Sequence, residues 1–249
     1  MKVHFLGVGE ACDGFNGNTS ILITTCDKTT VLLDCGFSVP HTFFRTNDDP
    51  NQPDIVWISH LHGDHCFGIP LLLLRLWEMG RTKPLLFVGN SHLKEHVYKI
   101  MELAYPGILN RLNFSLFFQT VESGQNFNLE NIIFRFASTI HFQPNLGLLL
   151  EDGKKKLYYS GDGRPTDEVV ELTQDCDLAI HESFRFTDEI PNHGSVSSSL
   201  QLAEQANIKQ LALVHLERSF RLNRDDELST LLKANPTTFL PESGHTITI

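Results

Sequence analysis

Apolar and polar positions alternate in short runs at the start of the chain. Residues 3–6, 20–24 and 30–33 are β-branched or apolar, and Gly and Asn clusters part them, which predicts strands joined as a meander. Residues 54–59 read as a further buried strand that runs into the polar loop His60-Leu61-His62-Gly63-Asp64-His65. Helical spacing then takes over across 68–79, with Pro70 near the start, where a proline is tolerated. A polar cluster therefore sits at the C-terminal end of a strand.

Farther along, the two periods trade places. The pattern predicts a strand at 85–88, a helix over 91–104 capped by Ser91, and β-rich stretches over 114–136 and 146–160. A helix over 166–172 opens at Thr166, followed by strand 178–180, helix 195–206, strand 210–214, helix 225–233 and a closing strand at 245–249. Both halves run strands first and then strand and helix in alternation. That order predicts an α/β (α+β) fold with two sheets face to face and helices outside. No sequence repeat and no Pro/Ser/Gly-rich linker divides the halves, so 1–249 is expected to form one domain.

Composition narrows the partners. A hydrophobic fraction of 41% and a charged fraction of 20% are those of an ordinary globular chain. The formal net charge of −10 repels polyanions unless a local patch or a bound cation reverses the field, so bulk nucleic-acid binding is disfavoured. Five scattered cysteines lack zinc-ribbon spacing and read as reduced, mostly buried thiols. The first residues pass straight into a strand pattern without a secretory leader, and the longest apolar run, 69–74, is far below the roughly 20 residues that cross a bilayer. The expectation is a cytoplasmic protein with no membrane partner.

His60-x-His62-x-Asp64-His65 gathers three imidazoles and a carboxylate in six residues, a donor set suited to zinc and also to manganese or iron. Four donors exceed the three protein ligands of an ordinary catalytic zinc, which points to two metals sharing the cluster. Twelve histidines give chance many openings, but a solvated surface histidine does not explain four donors packed between an apolar strand and a helix start. His141, Asp162 and His215 each follow an apolar strand as well. Ligands at the ends of different strands can converge on one rim of a sandwich.

With those residues in view, the chain resembles the metallo-β-lactamase-fold superfamily, in the branch of ribonuclease Z and its short phosphodiesterase relatives. The markers are Leu6-Gly7-Val8-Gly9-Glu10 with Asn18-Thr19-Ser20, Leu33-Asp34-Cys35-Gly36, Ser59 through His65, the isolated His141, Tyr159-Ser160-Gly161-Asp162, Ala179 through Ser183, Asn192-His193-Gly194-Ser195 and Val214-His215. The resemblance implies a four-layer αββα sandwich and a dinuclear metal-dependent hydrolase. It implies that His60, His62 and His141 hold one divalent ion, Asp64, His65 and His215 a second, and that Asp162 bridges them. Zn2+ is the first expectation, with Mn2+ or Fe as alternatives. A hydroxide bridging the ions would then attack the substrate, with Asp64, Glu182 and His193 as the catalytic positions beside the ligands. Asp34 resembles the buried acid that accepts a hydrogen bond from a ligand imidazole, and His193 the non-ligand histidine that meets the phosphate or protonates the leaving oxygen. The remaining histidines, His4, His41, His92, His96 and His245, have no such context and read as structural or surface residues, as do most of Phe43, Phe44, Phe184, Phe186 and Phe220, which could also wall a pocket.

Three departures from the ribonuclease pattern shape the substrate reading. Only a short hairpin with Lys154, Lys155 and Lys156 separates His141 from Asp162, where ribonuclease Z carries a long basic arm; Gly163 stands where that branch has Thr; and Leu216-Glu217-Arg218 replaces its Phe-Ser and following Arg-Tyr. The expected substrate is a small phosphodiester or nucleotide, with RNA disfavoured. The alternatives are a transfer-RNA 3'-end endonuclease, an ester, lactone or sulfate hydrolase, and a non-catalytic metal-binding sensor. Relatives of this kind often form homodimers, which makes a second copy a possible partner.

Overall fold

The fold is described from a computed structural model for residues 1–187, 189–223 and 225–249. The first sheet is ordered β14-β1-β2-β3-β4-β5-β6. Its strands are β1 (Lys2–Gly7), β2 (Ser20–Thr24), β3 (Thr30–Leu33), β4 (Ile55–Trp57), β5 (Leu85–Gly89), β6 (Leu116–Thr120) and β14 (Thr246–Thr248). Pairing is antiparallel from β14 to β3 and parallel from β3 to β6. Parallel neighbours need long crossovers, and the helices lie in those gaps: α1 (Val39–Thr46), α2 (Gly63–Cys66), α3 (Ile69–Glu78) and α4 (Leu93–Ala104).

The second sheet repeats the plan in the order β13-β12-β11-β10-β9-β8-β7. Strands β7 (Asn126–Leu129), β8 (Ile132–Ser138), β9 (Leu146–Glu151) and β10 (Lys156–Tyr159) pair antiparallel, while β11 (Leu178–Glu182), β12 (Leu211–Val214) and β13 (Thr238–Phe239) continue in parallel. Helices α5 (Asp167–Leu172), α6 (Val196–Gln205), α7 (Arg218–Asn223) and α8 (Asp225–Ala234) supply these connections.

The twofold period of the strands decides what each face buries. Val31 and Leu33 of β3 join Leu148 and Leu150 of β9 in the core between the sheets, where Trp57 stacks on Phe136 at 5.0 Å. Leu32 points the other way, into the layer beneath α1, α3 and α4, and Leu149 points into the layer beneath α5 and α6. The result is the expected αββα order of layers. Among the described residues, no helix is long and apolar enough to cross a membrane. All five cysteines are free; Cys35, Cys66 and Cys176 are buried, and Cys12 and Cys26 are exposed.

Most predicted elements appear with ends shifted by one or two residues. The start of α4 is a correction: it begins at Leu93 with His92 at the cap position, and Ser91 makes no capping bond. Asn90 Oδ1 instead accepts from the His92 amide at 3.0 Å, closing the turn one residue earlier. Helices α1, α2 and α7 and strand β13 were not foreseen, and α2 replaces the second half of the expected 60–65 loop. They run to eight, four, six and two residues, too short for a period to register. At the opposite end of the scale, α6 opens on a full capping box in which Ser195 and Ser198 each bond the other's backbone amide.

Candidate metal centre

All the predicted ligands lie on one rim, past the C-terminal ends of β4, β8, β10 and β12. The segment after β4 leads into α2, whose first turn carries Asp64 and whose last carries His65, both buried, while His62 precedes it at the cap position in extended backbone. The closeness of this turn to its neighbours is set by glycine: a Cβ on Gly36 would meet Asn18 Cβ at 2.8 Å and the backbone of Asp64 closer still.

Among the described residues three overlapping donor sets result, each with ligand atoms within 4.8 Å of one another: His60, His62, His141 and Asp162 form the first, Asp64, His65, Asp162 and His215 the second, and Asp162, Glu182, His193 and His215 a third that adjoins the second. In the first, His62 Nδ1 lies 2.9 Å from His60 Nε2 and 3.2 Å from His141 Nε2, and Asp162 Oδ2 lies 4.0 Å from His60 Nε2 and 3.9 Å from His141 Nε2. In the second, Asp162 Oδ1 lies 3.2 Å from His65 Nε2 and 3.6 Å from His215 Nε2, and Asp64 Oδ2 lies 3.4 Å from both nitrogens. Tetrahedral bonds of about 2.0–2.1 Å to zinc place donor atoms roughly 3.3 Å apart, the scale of these separations. The two oxygens of Asp162 thus face different sets.

A test of fit comes from unpartnered atoms. His65 Nε2 and Asp162 Oδ1 are fully buried and face each other at 3.2 Å without the alignment of a hydrogen bond, and they have no other hydrogen-bond partner, an arrangement that a cation between them would satisfy. The opposite ring nitrogens are held. His141 Nδ1 donates to the Asn192 carbonyl at 2.8 Å, which leaves Nε2 with its lone pair toward the centre. His65 Nδ1 donates to Asp34 Oδ2 at 2.7 Å, and His60 Nδ1 lies 3.0 Å from Ser59 Oγ, which itself donates to Asp34 Oδ2 at 2.8 Å. Outer partners of this kind orient ligand imidazoles. The donor set and its support therefore fit two divalent cations.

Asp34 is fully buried and also receives Tyr159 Oη at 2.7 Å and the Ser59 amide at 2.8 Å. Its backbone is left-handed, at φ 58°, as is that of His215, at φ 57°. Such conformations cost non-glycine residues energy and gather at functional sites, and here both place a side chain at a strand end. Electrostatics follows the same arrangement. Burial would raise Asp162, but the imidazoles of His215, His65 and His60 pull it well below the carboxylate range. Burial would lower His65 and His215, yet Asp162 and the other carboxylates drive both well above an ordinary imidazole.

Glu182 and His193 lie beside the second set. Glu182, fully buried at the end of β11, accepts from the Gly194 amide at 3.1 Å and from the Gly163 amide, and its other oxygen takes His193 Nδ1 and stands 3.5 Å from His215 Nδ1. Burial would depress His193, and the bonded, charged Glu182 raises it instead. Phe184 stacks on the His193 ring at 4.7 Å, so one of the phenylalanines considered from the sequence does belong to the site, while Phe43 is core and Phe186 packs on Phe220. The neighbour of Glu182 in sequence, His181, faces away, toward Tyr158. Gly163 has a conformational reason: at φ 104°, with Ile140 O and Thr139 Oγ1 both 2.6 Å from any Cβ, threonine would not fit this loop.

His92 and His96 do not make a second site. His92 is exposed, and His96 packs on Phe67 with Nε2 3.3 Å from Cys66 Sγ, bracing α2 from behind. Sequence reasoning missed Ser59, Tyr159 and Asn192 as supports. All three sit inside motifs already singled out, but Asn192 acts through its carbonyl and leaves no side-chain signal.

The family described as "Anti-Pycsar protein Apyc1" matches residues 1–235. Ribonuclease Z of Methanosarcina acetivorans is 24% identical over 294 aligned positions, covering 96% of this chain and 93% of that protein. Human tRNase Z, short form, superposes with a TM-score of 0.81 at 22% identity, covering 100% of this chain and 99% of that one. A diphosphatase from the PhnP family superposes with a TM-score of 0.75 at 16% identity, covering 100% and 97%.

Proposed function

The chain belongs to the family of the anti-Pycsar protein Apyc1, within the metallo-β-lactamase-fold superfamily and its ribonuclease Z-like branch, and on that premise we propose that it hydrolyses a small phosphodiester, a cyclic phosphate or short nucleotide. It is a metal-dependent hydrolase. The observation that carries the reading is the division of Asp162, one oxygen toward His60 and His141 and the other toward His65 and His215. We assign the first ion to His60, His62 and His141, the second to Asp64, His65 and His215, and take zinc as the metal, with manganese or iron as alternatives. Residues 1–249 act as one domain in this account.

When bound, two such ions lower the pKa of a shared water and neutralise charge on the phosphoryl oxygens. The chain's own residues do the rest. Asp34 and Ser59 fix the orientation of His65 and His60, and Asn192 fixes His141. Glu182 holds His193 through Nδ1, so Nε2 is the nitrogen that can give a proton to the leaving oxygen. Because Glu182 raises His193, that proton is retained to higher pH than on a free imidazole.

The small-substrate reading is supported by the segment between His141 and Asp162, which is filled by β9, β10 and the turn joining them, and by the net charge of −10. Transfer-RNA cleavage is the second reading, favoured by the ribonuclease Z relatives. The test is a screen of metal-loaded protein against bis(p-nitrophenyl) phosphate, cyclic nucleotides, precursor transfer RNA and simple esters. Turnover of the small phosphodiesters above the RNA is expected. Turnover confined to esters or to precursor RNA, or none at all, would refute the proposal.

A further inference from the structure

The segment that carries His193 into the site has no regular structure of its own between Ile190 and Gly194. It nevertheless serves both halves of the centre: the Asn192 carbonyl sets the tautomer of His141, and the next residue, His193, meets Glu182. Something must hold that short segment in register. Arg164 does so from outside the donor sets, giving Nη2 to the Ile190 carbonyl at 2.8 Å and Nε to the His193 carbonyl at 3.2 Å. The two acceptors flank Asn192. The Ile190 carbonyl also takes the His193 amide at 3.3 Å, so the guanidinium closes a turn rather than gripping a loose end.

The base of the clamp is equally defined. Arg164, two residues after Asp162, exchanges backbone hydrogen bonds at 3.0 and 3.1 Å with Ile140, the residue just before His141. We propose that Arg164 is a positioning residue that locks the 190–193 turn, so that the Asn192 carbonyl orients His141 toward the metal while His193 stays on Glu182. A planar guanidinium can span two carbonyls in fixed geometry, and a lysine ammonium is a single point on a flexible stem. The inference rests on the reading of His141 as a ligand and His193 as proton donor.

The experiment measures zinc affinity by chelator competition, thermal stability of the metal-free protein, and kcat and KM on a cyclic nucleotide, for wild type, Arg164→Gln and Arg164→Lys. Loss of an outer support of a ligand typically costs about 10–100-fold in metal affinity or activity. Arg164→Gln is expected to weaken zinc binding and kcat within that range with KM little changed, and Arg164→Lys to recover only a small part of either. Should Arg164→Gln fail to fold, Arg164→Lys carries the same comparison, since it keeps the charge and most of the stem. Wild-type zinc affinity in both variants would overturn the proposal, as would a rise in KM alone, which marks substrate contact, or full recovery by lysine, which marks a charge effect. A wild-type protein that binds no zinc would instead sink the underlying reading, and this one with it.

Discussion

The two sheets contribute to the centre in opposite ways. The first supplies four donors from one six-residue segment, braced locally by α2 and by Asp34. The second supplies His141, Asp162, Glu182 and His215 singly, each from the end of a different strand, so its half of the geometry exists only when β8, β10, β11 and β12 are packed in register. A local turn can be read in sequence and damaged only locally. A set distributed over a sheet gives only weak signals residue by residue, and its geometry fails when any one strand slips.

The sharpest way to break the comparison is Asp162→Ala. Because each oxygen faces a different donor set, this change is expected to abolish turnover and lower the occupancy of both ions, whereas His62→Ala removes a donor from one set only and should spare the other ion. Metal analysis by mass spectrometry of the purified variants checks it. Equal loss of both ions in His62→Ala would mean that the sets are not separable.

Next in size is His193→Ala, expected to slow turnover by about 10²–10⁴-fold, the usual worth of a positioned proton donor, with metal content near wild type. The companion variant Glu182→Gln removes the charge that raises His193. A proton donor is active below its pKa, so the alkaline limb of the pH–kcat profile should move to lower pH. A limb that stays in place would remove His193 from the role.

Asp34→Asn probes the local support of the first sheet. It keeps the shape but replaces a four-donor acceptor by an amide, and a loss of about 10–100-fold in zinc affinity is expected, read by chelator competition. The smallest effect belongs far from the centre, at Asp177, where burial would raise the carboxyl but the Lys156 amide and the ammonium groups of Lys209 and Lys155 bring it down from 3.8 to about 2. A depressed folded pKa stabilises above the unfolded value and loses that contribution as pH falls. Asp177→Asn should therefore lower the melting temperature slightly at pH 4–7, and the gap from wild type should close between pH 4 and 2.

These contrasts match what was legible in the chain. His60 through His65 announce themselves because their donors are adjacent and follow a strand. The pairs of sheets and helices were readable because the strand period changes to the helical one at the crossovers. Ser91 misled because the cap is set by the Asn90 turn before it. Arg164 and Asn192 were not readable, since Asn192 acts through a main-chain carbonyl that any residue possesses and the guanidinium of Arg164 finds main-chain acceptors that leave no mark in the sequence. Gly163 looked like a mere departure from a relative's threonine until its left-handed backbone and the crowding at Ile140 gave it a cause.

The most direct measurement is anomalous diffraction from crystals of the zinc-loaded protein. The account predicts two peaks, one among His60, His62 and His141 and one among Asp64, His65 and His215, with a different oxygen of Asp162 toward each. A single peak in a metal-replete crystal, or Asp162 or His215 turned away from the 60–65 turn, would contradict it.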